Sequence, residues 1–222
     1  MCSHYEAIRE KERLERYFGV EFPDDWDPTK DDVWPTYKAA FIRRPREADE
    51  APDDEAVPAR ELEQGQFGLL PHWAKDKNFG RKTFNARSET MDKLPSFRDA
   101  WKKGQRCIIP ADAFYEPDWR SGKAVPTRFT LADGQPMGIA GLWSWWKPKE
   151  GGDELLSFSM ITINASDHPL LMHYHDPKDE KRMIVVLPPD AWDNWLAAPA
   201  GKGAEYLVQY PADQLVAEPR PR

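Results

Sequence analysis

The chain has 222 residues, of which 40% are hydrophobic and 31% charged, and its formal net charge is −7. This composition is typical of a globular protein and excludes a fibrous repeat. No apolar run approaches the roughly 20 residues that cross a bilayer, and the N-terminus lacks the apolar stretch of a signal peptide. We therefore expect a cytoplasmic protein. Its two cysteines, Cys2 and Cys107, are not expected to form a structural disulfide there.

The charge is distributed unevenly along the chain. Residues 1–65 hold 10 basic and 18 acidic side chains, residues 66–128 hold 13 and 7, and residues 129–222 hold 8 and 13. A basic middle third between acidic flanks can build one positive cleft on an otherwise negative surface. Random scatter of surface charges is the alternative.

The first half of the chain predicts few regular elements. Residues 5–18 have interleaved Glu and Arg/Lys with Leu14 and Phe18 at i,i+4, which predicts a helix. Residues 20–35 are rich in Pro and Asp and predict a loop. A short strand is expected at 38–42, an acidic surface loop at 44–60, and a strand at 66–73 that ends at Pro71.

The second half is richer in predicted strands. Residues 88–104 predict a helix that Ser88 caps and Pro95 splits or restarts. Strands are expected at 105–115, at 126–132 and 136–146 around an Asp133–Gly134 turn, at 155–164 and at 183–187. Residues 189–198 predict a helix. With 21 Pro and 10 Trp, we predict a strand-dominated α+β protein with one domain over residues 1–222.

Cys2 is the first candidate for chemistry. Loss of Met1 would leave a cysteine with a free α-amine, a 1,2-aminothiol. Its amine can condense with an aldehyde to an imine, and the thiol can then close a thiazolidine ring. Reference pKa values near 8 for the amine and 8.5 for the thiol leave both groups reactive near neutral pH. Chance occurrence of a cysteine at position 2 is the simpler interpretation.

Three further segments carry reactive side chains. Asn85 can orient a catalytic group, and Arg87 suits a phosphate, although the segment also fits a helix N-terminus. Glu116 ends an apolar strand, where desolvation would raise its pKa; pairing with an arginine is the common alternative. His173 and His175 can move protons or lie solvated in a loop.

A metal site is a weaker interpretation of His173-x-His175. Cys2, His4 or Cys107 would have to complete the ligands, and the sequence has neither Cys-x-x-Cys nor His-Glu-x-x-His. We expect no metal and no cofactor.

Taken together, these segments resemble the SOS response-associated peptidase (SRAP) family. The matching motifs are Met1-Cys2, residues 67–73 (FGLLPHW), residues 85–90 (NARSET), residues 106–116 (RCIIPADAFYE), residues 139–143 (IAGLW) and the segment from Thr162 to Leu187. They cover most of the chain and occur in the family's order. Phe67 stands in place of the Trp that begins the first of these internal motifs in the family, and Ala113 stands in place of a Gly in the motif at residues 106–116.

The resemblance implies a mixed, barrel-like sheet core with peripheral helices, in a monomer that forms covalent crosslinks to abasic sites in single-stranded DNA. Cys2 would be the nucleophile after loss of Met1, in which the same site would assist. Asn85 would position the Cys2 backbone, and Glu116 would transfer protons. His175, which starts the run 175–182 (HDPKDEKR), would protonate the sugar oxygen, with His173 in reserve. Such a protein would be nucleoid-associated.

The resemblance also names a DNA-binding surface, and two further departures from the family pattern, His4 and Asp32, concern it. The candidate DNA-binding residues are Trp73, Arg81, Lys82, Arg87, Pro35 and His4. His4 stands where most members have a phosphate-binding Arg, and Asp32 replaces an Asn before Pro35. We expect both changes to weaken DNA affinity more than the chemistry. A cysteine-dependent peptide or amide hydrolase and a non-catalytic single-stranded-DNA-binding module are the alternative functions.

Overall fold

The computed structural model describes residues 2–24, 26–27, 30–45, 57–149 and 151–220. Residues 46–56 of the predicted acidic loop lie outside this part of the chain. Within the described part no helix is long and apolar enough to cross a membrane. Three α-helices are present there, α1 to α3, at Lys11–Phe18, Arg98–Lys102 and Trp192–Ala197.

Strands dominate the described residues, which confirms the predicted α+β class. In chain order β1 to β13 cover Tyr5–Glu6, Asp32–Val33, Lys38–Arg43, Glu61–Phe67, Asn85–Arg87, Arg106–Ala111, Ala113–Asp118, Val125–Leu131, Met137–Trp146, Leu155–Asn164, Arg182–Ile184, Val186–Leu187 and Leu215–Pro219.

Five of these strands close into a barrel. The hydrogen-bonded order β10-β4-β3-β6-β9 returns to β10 through the β9–β10 pair, and only the β10–β4 pair among them is parallel. Phe41 and Phe158, whose rings are 5.4 Å apart, are fully buried in its core. Gly141 on β9 is required by close packing, because a Cβ there would lie 2.7 Å from the main-chain oxygen of Ser159. The mixed, barrel-like core that the family resemblance implied is confirmed.

A second, antiparallel sheet holds the N-terminus. Its order is β13-β8-β7-β1-β2, so the short strand β1 lies between β7 and β2. Tyr5 pairs with Phe114 on one side and with Val33 on the other. Asp112 separates β6 of the barrel from β7 of this sheet, and the chain therefore carries the N-terminal residues to the edge of the barrel.

Several predicted elements were placed wrongly. The helix predicted for 5–18 begins only at Lys11, because Tyr5 and Glu6 pair with remote strands instead. The strand predicted for 66–73 lies earlier, at Glu61–Phe67, and Gly68 with φ of 116° turns the chain out of it. The predicted helix 88–104 is α-helical only at Arg98–Lys102.

Other predicted elements exist but are divided. The strand predicted for 105–115 forms β6 and β7, and that for 183–187 forms β11 and β12. The strands expected around the Asp133–Gly134 turn are β8 and β9, which belong to different sheets, so the turn joins the sheets and makes no hairpin. The predicted helix 189–198 is a 3-10 turn followed by α3. Strands 38–42 and 155–164 are confirmed as β3 and β10.

Candidate active site

The N-terminal segment enters the protein as an inner strand, and this places Cys2 inside. The main-chain N–H of Tyr115 donates to the oxygen of His4 at 3.0 Å, extending the pairing of β1 with β7. Cys2 is consequently only 1% exposed, and its thiol lies 3.5 Å from the oxygen of His4.

Asn85 contacts the backbone of Cys2 directly. It begins β5, where parallel pairing with Met160 of β10 fixes its position. Its Nδ2 donates to the main-chain oxygen of Cys2 at 2.7 Å, across 83 residues of sequence. Its Oδ1 is buried and has no hydrogen-bond partner among the described residues. A buried carbonyl oxygen without a donor is unfavourable, so this atom suits a ligand N–H or O–H.

Glu116 and His175 form a buried pair beside Cys2. His175 Nδ1 lies 3.1 Å from Glu116 Oε2, and the two side chains are 3% and 1% exposed. His175 Nε2 lies 2.8 Å from the main-chain oxygen of Arg182. Since a carbonyl only accepts hydrogen bonds, Nε2 carries a proton, and the neutral ring presents Nδ1 to Glu116 as an acceptor.

Burial sets the charge of this pair. It raises the pKa of Glu116 to about 8 and lowers the pKa of His175 to about 4. Both shifts have the same physical cause, because a dry environment disfavours the charged form of each group. Near pH 7 the pair is therefore a neutral carboxylic acid beside a neutral imidazole, holding one transferable proton.

The Cys2 thiol is also kept neutral. Burial raises its pKa to about 12, and the charge of Glu116, when ionised, acts in the same direction. Reactive cysteine hydrolases depend on the opposite, a thiolate stabilised by an electropositive environment. The resting thiol of this chain is thus a poor nucleophile on its own.

His175 is held in a strained conformation. Its φ is 66°, a left-handed value that costs a non-glycine residue about 1–3 kcal/mol. Its main-chain N–H donates to the oxygen of Pro117 at 2.8 Å, which ties it to the strand that carries Glu116. His173 lies on a 3-10 turn and is exposed, so of the two histidines only His175 meets Glu116.

Arg182 ties the elements of the site together. Its guanidinium donates to both carboxylate oxygens of Glu89, at 2.9 and 3.0 Å, and to the main-chain oxygen of Thr162 at 2.7 Å. The segment that follows Asn85 is thereby joined to β11, whose first residue is Arg182 itself; the main-chain oxygen of Arg182 accepts the hydrogen bond from His175. The sequence analysis did not single out Arg182. It lies within a segment that matches the family, but its partners are distant in sequence and have no local signal.

The residues named for DNA binding have different positions. Trp73 is 39% exposed and rests edge-on against Phe79. Arg81 and Lys82 are exposed at the end of the 3-10 helix Lys77–Lys82. Arg87 is exposed and forms an ion pair with Glu180 at 2.8 Å. A phosphate at Arg87 would compete with this carboxylate.

His4 lines a cleft that also contains Trp34 and His175, and Pro35 follows Trp34 in the chain. Pro35 is half-buried next to Trp34. His4 is stacked between Trp34 and Tyr115, and its Nε2 lies 2.6 Å from Asp32 Oδ1. The two departures from the family pattern, His4 and Asp32, therefore contact each other, which sequence reasoning missed. Within the described ranges no group of three metal-ligating side chains is present, and Cys107 is free and buried in the core.

Comparison with known proteins identifies the class. The family model described as "SOS response associated peptidase (SRAP)" matches residues 1–219. The chain belongs to this family, and the resemblance predicted from its motifs is confirmed.

Individual relatives agree with the family match. The chain is 36% identical over 157 residues to the Abasic site processing protein YoqW of Bacillus subtilis, covering 68% of this chain and 66% of YoqW. It is 29% identical over 159 residues to the Abasic site processing protein HMCES of Gallus gallus, covering 62% of this chain and 45% of HMCES. The matched stretch thus spans just under two thirds of YoqW and less than half of HMCES.

Solved structures share the fold. A crystal structure of a protein from Bordetella bronchiseptica is 48% identical, with a TM-score of 0.85 and coverage of 99% of both chains. Another, from Bacteroides thetaiotaomicron, is 22% identical with a TM-score of 0.78, covering 98% of this chain and 91% of that one. The second similarity shows a common fold alone.

Proposed function

We propose that this protein, once Met1 is removed, processes abasic sites in single-stranded DNA by forming a thiazolidine crosslink through Cys2. The observation that carries the proposal is the convergence of Asn85, Glu116 and His175 on the second residue of the chain. Relatives named abasic site processing proteins support the substrate. An abasic nucleotide has no base to unstack, so presenting its sugar to a buried site costs less than flipping an intact nucleotide.

The chemistry balances without a cofactor. The opened sugar carries a C1′ aldehyde, which the Cys2 amine attacks to give a carbinolamine. Loss of one water gives the imine, and addition of the thiol across the C=N bond forms the C–S bond while the thiol proton ends on nitrogen. Aldehyde and aminothiol thus become thiazolidine and one water.

The pKa shifts support one order for these steps. The thiol, with a pKa raised to about 12, is protonated at neutral pH, whereas an α-amine has a reference value near 8. The amine therefore attacks first, and the thiol adds to the more electrophilic imine. Glu116 as a neutral acid gives its proton to the departing hydroxyl and recovers the proton that the nitrogen loses as the imine forms, and His175 accepts or returns a proton at Nδ1.

Asn85 and the basic surface have supporting roles in the proposal. The Asn85 amide holds the Cys2 carbonyl, so the amine of the same residue has a fixed direction of attack. Its free Oδ1 accepts a hydrogen bond from the carbinolamine or the sugar hydroxyl. Arg81, Lys82 and Arg87 contact phosphates, and Trp73 stacks on a base.

The test is intact mass spectrometry of the purified protein before and after incubation with single-stranded DNA containing one abasic site. We expect a protein without Met1 and an adduct of protein plus DNA less one water. Cys2→Ala keeps the amine and should lose the stable adduct. Cys107→Ala, which removes the other buried cysteine, is the matched control and should retain it.

The same experiment separates the alternatives. A binding module would retain Cys2→Ala affinity and give no adduct with either protein, and a hydrolase would turn over an added peptide without DNA. Mature wild-type protein with a free Cys2 amine that forms no adduct over hours would disprove the crosslinking proposal.

A further inference from the structure

Three aromatic rings form a continuous column at the mouth of the site. The His4 ring lies between Trp34 and Tyr115, with centroids 4.2 Å apart on both sides and planes within 9° of parallel. Such spacing is that of stacked planar rings. Tyr115 is the inner end of the column, and Trp34, at 37% exposure, is its open end.

Polar contacts fix the two inner rings of the column. Asp32 holds His4 at 2.6 Å. The Tyr115 hydroxyl donates to Glu6, whose carboxylate is bound by Arg128 at 2.6 Å. Trp34 stacks on His4, which is held in this way, so its ring loses little further freedom when a ligand stacks on it.

The backbone beside Trp34 is also specialised. Thr36, two residues on, has φ of 79°, a left-handed value that is unusual for a β-branched residue. Its N–H donates to the main-chain oxygen of Phe67 at 2.6 Å, which anchors the turn to the barrel. Strain of this kind persists only where the surrounding structure holds it, and it is concentrated at functional sites.

The column lines the same cleft as His175 of the reaction centre. Trp34 lines a cleft of about 610 Å³ that also contains Ser3, His175 and Trp119. The rim carries the carboxylates of Asp176 and Asp179, and its Arg220 is bridged to Glu218 at 2.9 Å. The two carboxylates disfavour a phosphate close to them, so the part of a nucleotide that suits this side of the cleft is its uncharged planar base.

We propose that Trp34 is a stacking platform for the nucleobase adjacent to the abasic sugar. The proposal rests on the proposed function for the identity of the ligand and adds a second base contact, distinct from Trp73. It also gives His4 and Asp32 a role, because they hold the platform where the family pattern has phosphate contacts. Stacking of a base on an aromatic side chain stabilises single-strand binding whatever the base, so we expect about a tenfold effect on DNA affinity.

The experiment measures non-covalent affinity by fluorescence anisotropy in a Cys2→Ala background. The probe is single-stranded DNA with one stable tetrahydrofuran abasic analogue, and in two further probes the base on its 5′ or its 3′ side is also removed. We expect removal of one of these two bases to weaken binding about tenfold. Adding Trp34→Ala should abolish that difference, and Trp34→Phe should restore most of it.

Trp145→Ala is the matched control. Trp145 is exposed to a similar extent, 42%, but lies on barrel strand β9 outside this cleft. It should leave the difference between the probes unchanged, and thermal melting should show that each variant is folded.

Two results would overturn the platform. One is a loss of affinity on removal of the flanking base that is the same with and without Trp34→Ala. The other is an affinity of the Cys2→Ala protein that does not change when either flanking base is removed. Crosslinking by the wild-type protein is scored separately, so the platform can fail while the crosslinking proposal stands, and the reverse.

Discussion

Replacing Glu116 by Gln isolates the buried proton of the site. The amide has almost the same shape as the carboxylic acid but cannot ionise. In the wild-type protein, burial holds the pKa of Glu116 at about 8 and that of His175 at about 4. The unfolded chain has ordinary values for both groups, so the two proteins must differ in how their stability depends on pH.

The sign and size follow from proton counting. Glu116 has a raised pKa in the folded state, so its contribution is present at low pH and is lost as pH rises through about 8. His175 has a lowered pKa, so its contribution is present above 6.5 and is lost as pH falls through about 4. Between pH 6.5 and 8 the folded pair holds one proton that the unfolded chain has lost, and stability falls by about 1.4 kcal/mol per pH unit.

The expected loss across that interval is about 2 kcal/mol in the wild-type protein and none from this pair in Glu116→Gln. For a chain of this length it corresponds to roughly 4–8 °C in Tm. Thermal melts of both proteins at closely spaced pH values measure the difference directly, and Glu218→Gln, an exposed carboxylate on β13, is the control that should follow wild type. If Tm depends on pH in the same way in the wild-type protein and in Glu116→Gln, Glu116 is not a neutral, buried acid.

Three further substitutions test the supporting contacts. Asn85→Ala removes the 2.7 Å hydrogen bond to the Cys2 carbonyl and should slow adduct formation at least about tenfold, while the affinity for DNA with the abasic analogue changes less than about twofold. An equal loss of affinity would mean that Asn85 binds DNA instead of orienting Cys2. Glu180→Gln frees Arg87 from its 2.8 Å ion pair and should tighten DNA binding a few-fold. The slope of log affinity against log salt concentration should become steeper by about 1, and an unchanged slope would show that Arg87 contacts no phosphate. Arg182→Met should lower the free energy of unfolding by about 2 kcal/mol, or roughly 4–8 °C in Tm, because it removes both guanidinium hydrogen bonds to Glu89 and one of the two donors to the Thr162 oxygen, which also accepts from the Ser88 N–H. A Tm within 2 °C of wild type would contradict this structural role.

Long apolar strands were predictable because their signal is local. The run 155–164 is buried from residue 157 to residue 163 and forms β10 as predicted. Strands β1, β2 and β5 have only two or three residues, and their pairing depends on partners far away in sequence. Tyr5 and Glu6 fit a helical pattern equally well, and tertiary pairing overrides that preference.

The site was only partly predictable from the sequence. The residue types at Cys2, Asn85 and Glu116 suggested chemistry, but each also had a simpler interpretation, and only the family resemblance placed them together. His173 and His175 could not be separated by local sequence reasoning, since the difference between them is burial against Glu116. The tautomer of His175 depends on a carbonyl seven residues away and has no sequence signal.

His4 and Asp32 show why a site cannot be transferred position by position. Each was expected to weaken DNA binding, the first by loss of a phosphate-binding Arg and the second by repulsion of phosphate. The structure joins them at 2.6 Å, so Asp32 supports the ring that stacks beneath Trp34. A change that is unfavourable alone becomes part of one unit when the partner residue changes as well. The same reasoning predicts that His4→Arg or Asp32→Asn alone would disturb the column. His4→Arg removes the ring that stacks on Trp34, and Asp32→Asn removes the carboxylate that holds His4.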